Sequence, residues 1–365
     1  MSLSFDRRLL ENFDWKFLLL VLVLAGIGLL NLRSAAAATG LWKTQFYYLL
    51  LGLGAMAFIL LWDYRDFEGL APLIYLGCLG LLVLVHLFGE TIRNSKSWLH
   101  YGFFRLQPSE LMKLGLIVLL ARFYHRDKTG RPYTLRELVL PLLVIALPTA
   151  AIALEPDMGT ALVVMALGLT LLLFMGIERR TLLLLVGVGL LSIYPAWRFV
   201  LKPHQKARIL TFMHPESEPL GVGYNLIQSK IAIGSGGALG KGFMHGSQNQ
   251  LRFLPEQHTD FALSVWAEEW GFFLGVLPVL ILYAILIGWA LSFARGAKDR
   301  FGVMLALGVT TLIFWHMIIN ISMIVGLFPV IGVPLPFLSY GGSHLLTLMI
   351  GVGFLLNVRM RRHVF

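Results

Sequence analysis

The stretch DFALSVWAEEWGFFLGVLPVLILYAILIGWALS, residues 260–292, decides what class of protein this is. A helix of about 20 apolar residues crosses a hydrocarbon core of about 30 Å, and this stretch is longer than that. We therefore expect one membrane helix that tilts or extends beyond the bilayer. Three acidic residues, Asp260, Glu268 and Glu269, lie in the same stretch. Because a carboxylate inside a bilayer is costly and usually functional, the stretch also indicates a site.

Comparable apolar runs recur along the whole chain. Of its 365 residues, 57% are hydrophobic and 14% are charged, whereas about a quarter of a soluble domain is charged. The alternating segments of about 10 residues that a transmembrane barrel needs are absent. The sequence thus predicts an all-α polytopic membrane protein and, because no linker divides it, a single membrane domain over 1–365. The ten predicted transmembrane helices lie near 16–33, 46–62, 70–88, 108–124, 137–154, 158–177, 180–200, 260–292, 302–327 and 337–358.

The net charge of +10 is explained by the way Lys and Arg are distributed between the two sides of the membrane. Seventeen Lys and Arg residues fall in the loops on the side of the N-terminus, against five in the short loops opposite. By the positive-inside rule, both termini are cytoplasmic. The basic balance is then explained without a nucleic-acid partner. The same topology places one long loop, residues 201–259, outside the cytoplasm between the seventh and eighth helices, and a long polar loop is often functional.

The Gly-rich stretch IAIGSGGALGKGFMHGSQ (231–248) within this loop has two interpretations. It fails the phosphate-loop signature, because Ser235 stands where the first glycine is needed and Gly242 replaces the Ser or Thr after Lys241. A loop rich in backbone N–H groups and bearing Lys241 is still suited to hold a pyrophosphate. The alternative is a plain Gly-rich turn between short helices.

A charged pair is predicted near the start of the fourth helix, in RLQPSELMKL (105–114). Glu110 and Lys113 are three residues apart, which puts them on one helix face and close enough to pair. Pro108 suits the first turn of that helix. The pair has a structural interpretation, as mutual neutralisation in a bundle, and a functional one, as the wall of a cavity that faces a polar substrate. The residues alone leave both open.

Two further segments place polar groups at membrane depth. In ALEPDMGTAL (153–162), Asp157 is positioned to cap the sixth helix. The segment VGLFPVIGVPLPFLSYGGSHLL (325–346) carries three prolines and ends in a motif that contains Ser343. Such broken backbone is tolerated in a membrane only where protein or a water-filled cavity covers it, which predicts a re-entrant or cavity-lining element. His316 and His344 are isolated in sequence, have no metal-ligand spacing, and are expected to be core histidines.

Asp260 likewise has two interpretations. Thr259 or Asp260 is suited to cap the eighth helix, which contributes about 1 kcal/mol. A carboxylate at the edge of the membrane, beside a long polar loop, is equally well placed as a general base. Such chemistry also needs cations to hold a leaving phosphate. The candidate cations are Lys113, Arg208, Lys230, Lys241 and Arg252.

Several segments together carry a family resemblance. They are KSWLHYGFFRLQPSELMKL (96–114), EPDMGTAL (155–162), PESEPLGVGYNLIQSKIAIGSGGALGKG (215–242), QLRFLPEQHTDF (250–261), AEEWG (267–271) and PVIGVPLPFLSYGGS (329–343). In this order they resemble the SEDS family (shape, elongation, division and sporulation), and the stretches around 224–255 are most similar to its elongation branch. The resemblance covers most of the chain.

The resemblance implies a peptidoglycan glycosyltransferase of the bacterial cytoplasmic (inner) membrane with ten helices. Such enzymes polymerise lipid II, a disaccharide-pentapeptide on undecaprenyl pyrophosphate, during lateral cell-wall elongation. The essential aspartate of the family falls on Asp260, and its intramembrane acidic and basic pair falls on Glu110 and Lys113. The implied partners are a class B penicillin-binding protein transpeptidase, other proteins of the elongation complex, and membrane lipid.

The resulting hypothesis is an inverting glycosyl transfer with Asp260 as the general base. Glu110, Lys113, Arg208, Lys230, Lys241 and Ser343 are the candidate substrate-binding or charge-stabilising residues. A divalent cation, Mg²⁺ or Mn²⁺, is a further candidate for offsetting the charge of the leaving pyrophosphate. Two other classes stay open, namely a lipid II flippase or transporter and a non-catalytic scaffold for a transpeptidase.

Overall fold

The computed structural model describes residues 11–37, 39–92, 95–101, 104–213, 222–251, 253–254 and 256–362. These residues are mostly helical, as predicted. The helices before the long loop are α1 (Trp15–Ala35), α2 (Leu41–Leu61), α3 (Asp66–Phe88), α4 (Pro108–Arg126), α5 (Leu135–Leu154), α6 (Met158–Met175) and α7 (Arg179–Pro195). The loop itself contains α8 (Pro203–Met213), α9 (Val222–Gly236) and α10 (Ser247–Gln250). After it come α11 (Ala262–Gly271), α12 (Leu277–Gly296), α13 (Arg300–Val325) and α14 (Gly342–Met360).

The predicted membrane spans are confirmed. Within the described ranges, nine helical segments are long and apolar enough to cross a membrane. The tenth predicted span is α4, which is less apolar because it carries Glu110, Lys113 and two arginines. The helix bounds agree with the prediction to within about five residues, the usual error of a boundary read from sequence.

Three helices begin with an aspartate that accepts a hydrogen bond from a backbone N–H of the first turn. Asp14 accepts from Phe17 N at 3.1 Å at the start of α1, and Asp157 accepts from Thr160 N at 3.1 Å at the start of α6. Asp299 begins α13 in the same way. Each such cap satisfies a donor that the helix leaves unpaired and contributes about 1 kcal/mol. The predicted capping role of Asp157 is therefore confirmed.

The predicted eighth span is one helical segment of 35 residues, Ala262–Gly296, longer than a single crossing needs, but it is interrupted within its first half. α11 ends at Gly271, whose φ of 69° lies in the left-handed region that favours glycine. A π-helical turn, Phe272–Val276, then leads into α12. A Cβ on Gly271 would lie 2.3 Å from the backbone nitrogen of Gly240. The break therefore lies where the Gly-rich stretch packs directly on the helix backbone.

A second irregular segment separates α13 from α14. Residues 327–341, called here the proline segment, contain no regular helix. The tenth predicted helix thus begins at Gly342 and not at 337. Gln45 of α2 satisfies part of this backbone, because its Nε2 donates to Ser339 O at 3.3 Å and its Oε1 accepts from Gly341 N at 3.2 Å. The predicted broken backbone is confirmed, and Gln45 covers part of it, while its re-entrant or cavity-lining role stays a prediction.

A small antiparallel sheet lies between α3 and α4 and was not predicted. Its strands are β1 (Glu90–Ile92), β2 (Ser95–Tyr101) and β3 (Phe104–Leu106), in the order β1-β2-β3. Two of the strands have three residues each, which is too short for an alternating pattern to be recognised. Gln107 connects β3 to α4, so the sheet leads directly to the predicted charged pair.

Burial differs strongly between the last helix and α7. Of an apolar 18-residue window of α14, 83% is buried, whereas none of the corresponding window of Arg179–Phe199, which comprises α7 and the residues just after it, is buried. α14 is therefore a central helix of the bundle, and α7 stands at its periphery.

Candidate active site

Asp260 lies in a turn directly before α11 and is partly exposed. The N-cap of α11 is Phe261, and no side-chain hydrogen bond caps the helix there. Thr259 instead donates from Oγ1 to Glu256 O at 3.3 Å. Neither Thr259 nor Asp260 occupies the cap position, so the capping interpretation of these residues is wrong.

The turn that bears Asp260 is held by one side chain of α13. Asn320 Nδ2 donates to Asp260 O at 2.8 Å and to Val333 O, in the proline segment, also at 2.8 Å. The Asp260 carboxylate lies against Gly332, where an added Cβ would be 3.3 Å from Oδ2. Gly332 has a φ of 76°, so glycine is favoured there by both the backbone and the neighbouring carboxylate.

The predicted pairing of Glu110 with Lys113 is confirmed. Lys113 Nζ donates to Glu110 Oε1 at 2.7 Å, and the two side chains are 0% and 3% exposed. Two histidines complete the cluster. The Nζ of Lys113 is also 3.0 Å from His316 Nε2, and His344 Nδ1 is 3.0 Å from Glu110 Oε2. Burial of the charges is thus accompanied by hydrogen bonds on both partners, as a buried ion pair requires.

His316 and His344 are core histidines, as expected, but they are not isolated. They are about 200 residues from Glu110 in sequence, and no spacing pattern connects them to it. His316 Nδ1 lies 3.2 Å from Pro334 O. A carbonyl only accepts, so Nδ1–H donates to it and Nε2 is left to accept from Lys113.

The buried cluster and the Asp260 turn therefore share two neighbours. His316 and Asn320 are one turn apart on α13, and they hold the adjacent carbonyls of Pro334 and Val333. Since a helix is stiff over one turn, the positions of the cluster and of Asp260 are coupled through α13 and the proline segment.

Ser343 contacts the backbone just before α4. Its Oγ accepts from Gln107 N at 3.1 Å and donates to Arg105 O at 2.8 Å. Gln107 Nε2 donates in turn to Asp157 Oδ2 at 2.9 Å. Three of the motifs singled out in the sequence thus meet at this point, and Ser343 is 1% exposed. Its contacts position the backbone that precedes Glu110.

Glu155 lies in the turn between α5 and α6, outside both helices, and is buried. Burial, together with the negative charge of Asp157, raises the pKa of Glu155 to about 8. The carboxyl is therefore largely protonated at neutral pH.

The Gly-rich stretch forms a turn after α9 that packs on α11. Lys241 N donates to Glu268 O at 3.1 Å, and Gly242 N donates to Glu269 O at 2.8 Å. Gly236 lies so close to α11 that an added Cβ would be 2.1 Å from Ala267 O. Because these two N–H groups are used by α11, the geometry favours the Gly-rich turn over the phosphate-binding interpretation.

The cations of the sequence prediction lie in different places. Lys241 Nζ donates to Glu268 Oε1 at 2.7 Å and to Ser247 Oγ at 3.0 Å. Arg208 on α8 and Lys230 on α9 are exposed. The end of the Lys230 side chain packs over the C-cap of α13, where a Cβ on Gly326 would be 2.4 Å from its Cε. Arg252 lies outside the described residues.

Among the described residues, no three His, Cys, Asp or Glu side chains are grouped so that they can hold a metal ion. A Mg²⁺ ion needs no such group when one carboxylate and substrate phosphates bind it. Asp260 is compatible with that arrangement.

The fold and the site define a polytopic helical membrane protein with a carboxylate at a helix start and a buried Glu–Lys pair linked to it. The family model of the cell cycle proteins FtsW, RodA and SpoVE matches residues 12–364. The chain therefore belongs to this family, the SEDS family.

Individual relatives are similar over nearly the full length. The chain is 40% identical over 356 residues to the peptidoglycan glycosyltransferase MrdB of Escherichia coli K12, covering 96% of this chain and 94% of that protein. It is 31% identical over 429 residues to the peptidoglycan glycosyltransferase RodA of Treponema pallidum, with 96% and 98% covered. The predicted enzyme class agrees with the names of both relatives.

Two solved structures have the same fold. One is a chain from a study of the structural coordination of polymerization and crosslinking by a peptidoglycan synthase complex. It is 31% identical, with a TM-score of 0.84 and coverage of 97% of this chain and 99% of that one. The other is the rod shape determining protein RodA of Thermus thermophilus, at 28% identity and a TM-score of 0.73, with 97% and 98% covered.

Proposed function

We propose that this chain is a peptidoglycan glycosyltransferase that polymerises lipid II into glycan strands during lateral cell-wall elongation. Membership of the SEDS family and the names of its relatives support the reaction class. The observation that carries the assignment of the site is the geometry of Asp260. It lies partly exposed in a turn, is not the N-cap of α11, and is held from behind by Asn320.

In this proposal Asp260 takes the proton from the C4 hydroxyl of the acceptor sugar. The oxygen attacks the anomeric carbon of the donor glycan with inversion, and undecaprenyl pyrophosphate leaves. A positioned general base contributes about 10²- to 10⁴-fold to a rate. Grooves between the helices accommodate the lipid tails, and the hydroxyl and phosphate groups lie at the level of the Asp260 turn.

The charge of the leaving pyrophosphate is offset by cations near this level. Glu110 and His316 orient Lys113, which is fully buried. Arg208 and Lys230 are exposed on helices of the long loop, and the end of the Lys230 side chain packs over the C-cap of α13. Lys241 is tied to Glu268, so its contribution is to hold the loop against α11. A divalent cation, Mg²⁺ or Mn²⁺, would supply further positive charge, and Asp260 would be the carboxylate to hold it.

The proposal places residues 1–365 in the bacterial inner membrane as one domain with both termini cytoplasmic, because the basic residues concentrate on that side. The long loop and Asp260 then face the compartment in which glycan strands are made. A class B penicillin-binding protein and other elongation proteins are the proposed partners. The outer surface of α12, which exposes Ile281 and Ile285, is a suitable docking face for a transmembrane helix of the transpeptidase.

One assay tests the proposal against its two alternatives. The purified chain, with its transpeptidase partner, is incubated with fluorescent lipid II, and products of the wild type and of Asp260→Ala are resolved by gel. We expect polymer from the wild type and none from the variant, with the complex intact in both. A flippase or a scaffold makes no polymer in either sample, and polymer from Asp260→Ala would overturn the assignment of the base.

A further inference from the structure

A groove of about 640 Å³ lies between α4 and α5, where the end of one helix faces the start of the next. We call it the α4–α5 groove. Its apolar walls include Leu119 and Phe123 of α4 and Leu140, Pro141 and Val144 of α5. Leu140 is 59% exposed on a helix long and apolar enough to cross a membrane, so the groove opens towards the surrounding lipid.

The α5 wall of the groove is fixed from α3. Pro148 of α5 has no N–H, so the carbonyl of Val144, four residues earlier, lacks its helical donor. The Tyr75 hydroxyl of α3 supplies that donor, at 2.9 Å from Val144 O. The wall is therefore held apart from α4 by a contact that lies outside the groove.

Arg122 of α4 lines the groove and is held by only one of its three nitrogens. Pro72 of α3 leaves the Glu68 carbonyl without a helical donor. Arg122 Nη1 donates to Glu68 O at 2.8 Å and to Gly69 O at 3.0 Å. Its Nε and Nη2 make no hydrogen bond or ion pair within the described ranges. A guanidinium has five N–H donors, so three of them remain for an anion.

The other charged residues of the groove are already engaged. Arg126, one turn after Arg122, is 61% exposed and places Nε 3.2 Å from Glu68 Oε1. Glu137 pairs with Arg131 at 2.6 Å. Asp127 accepts two hydrogen bonds within its own turn. The guanidinium of Arg122 is thus the lining charge with the most unused donors.

The proposed topology places this end of the groove on the cytoplasmic side. Residues 122–137 carry five Lys or Arg against two Asp or Glu. The cytoplasmic leaflet contains the anionic lipids, and basic pockets between membrane helices on that side bind their headgroups. A guanidinium pairs with two phosphate oxygens at once. Arg122 therefore matches a lipid phosphate, and the apolar walls match an acyl chain.

We propose that the α4–α5 groove binds one anionic phospholipid of the cytoplasmic leaflet. Its phosphate lies on the unused edge of Arg122, and one acyl chain lies between Phe123 and Leu140. The inference uses the proposed orientation in the membrane and does not depend on the proposed reaction. Since Arg122 also bonds to α3, the lipid joins α3, α4 and α5, and α4 carries the buried pair of Glu110 and Lys113.

The direct test is native mass spectrometry of the full chain in detergent, titrated with phosphatidylglycerol or with phosphatidylcholine of the same acyl chains. We expect the wild type to bind phosphatidylglycerol about fivefold more tightly, the factor that one basic residue contributes near an anionic lipid. Arg122→Gln should bind both lipids alike. Arg136→Gln removes the same charge from an exposed position outside the groove and should keep the preference. No preference in the wild type, or the same preference in both variants, would overturn the proposal.

A second pair of variants tests the apolar walls and leaves Arg122 intact. Leu140 and Leu143 are both 59% exposed on α5, but only Leu140 lines the groove. Leu140→Trp should bind phosphatidylglycerol about tenfold more weakly, since displacing two methylene groups of the chain suffices for this factor. Leu143→Trp should bind like the wild type. Equal binding by these two variants would contradict the groove, because a phosphate held by Arg122 alone needs no apolar walls.

Discussion

Asp260 and Glu268 belong to the same stretch of sequence, yet their surroundings are opposite. Glu268 is 0% exposed, and its Oε1 accepts from Lys241, Ser247 and the backbone of Gln248. Asp260 is partly exposed, lies against a glycine, and is held through its backbone. A carboxylate surrounded by buried donors is fixed in place, whereas a partly exposed one at the membrane edge can be approached by another molecule.

Glu269 extends the same comparison. Its Oε1 accepts from Asn249 Nδ2 at 3.2 Å and from the Ser34 hydroxyl, which ties α11 to α1 and to the loop. The two glutamates of α11 therefore hold in place the helix that directly follows the Asp260 turn. Substitution of Asp260 is therefore expected to change the reaction rate, and substitution of Glu268 to change the stability.

The largest effect is expected for Asp260→Asn. The amide keeps the size of the side chain but cannot take a proton, so the rate of lipid II polymerisation falls by about 10²- to 10⁴-fold. The measurement is the initial rate with fluorescent lipid II. Thermal unfolding of the same sample is the control, and it remains near the wild-type value.

Glu268→Ala is expected to act on stability. Removing this buried carboxylate takes an acceptor from Lys241 and from three other donors, which costs about 3 kcal/mol, at the low end for a buried pair because Lys241 is 30% exposed. Thermal unfolding in detergent measures the loss. Glu268→Gln retains an acceptor oxygen and should lose less; if both variants unfold like the wild type, the supporting role is wrong.

Asn320→Ala should lower the rate by about 10- to 100-fold, because small displacements of a catalytic group are costly. In the variant, the backbone carbonyls of Asp260 and Val333 lose the hydrogen bonds from Asn320, so the Asp260 turn is held less firmly. We therefore expect kcat to fall while the KM for lipid II stays close to the wild-type value. Thr310→Val is a matched control, since Thr310 Oγ1 donates within α13, to Ala306 O, and makes no other side-chain hydrogen bond among the described residues. Equal rates in the two variants would show that Asn320 does not position Asp260.

The last effect concerns the pH dependence of stability and leaves the reaction rate aside. The pKa of Glu155 is raised from 4.5 to about 8 by burial. As the pH rises, this carboxyl therefore loses its proton in the unfolded chain at a lower pH than in the folded chain. Stability contributed by this group is present below about pH 4.5 and is lost as the pH rises towards 8. Glu155→Gln should therefore unfold at a temperature that depends less on pH across this interval. A pH dependence identical to that of the wild type would contradict the burial of this carboxyl.

Much of the fold was predictable, because the lengths of apolar runs depend only on local composition. The pair of Glu110 and Lys113 was predictable for the same reason, since three residues on a helix set their distance. The break at Gly271 was not, because it arises where the Gly-rich stretch, some 30 residues earlier in the chain, packs on α11.

The parts of the site that sequence could not give are its long-range contacts. His316 and His344 approach Glu110 and Lys113 from other helices, and Asn320 reaches Asp260 from 60 residues away. No spacing rule covers such distances. The capping role considered for Asp260 also needed coordinates, because only the helix start shows that Phe261 holds the N-cap position, and the role of Asp260 as a base stays a proposal.

The most direct test of the central claim measures polymerisation rate and unfolding temperature together for Asp260→Asn and Glu268→Gln. We predict opposite patterns. Asp260→Asn loses its rate and keeps its unfolding temperature, while Glu268→Gln unfolds at a lower temperature and its folded fraction still polymerises lipid II. A folded Asp260→Asn that polymerises at the wild-type rate would contradict the account.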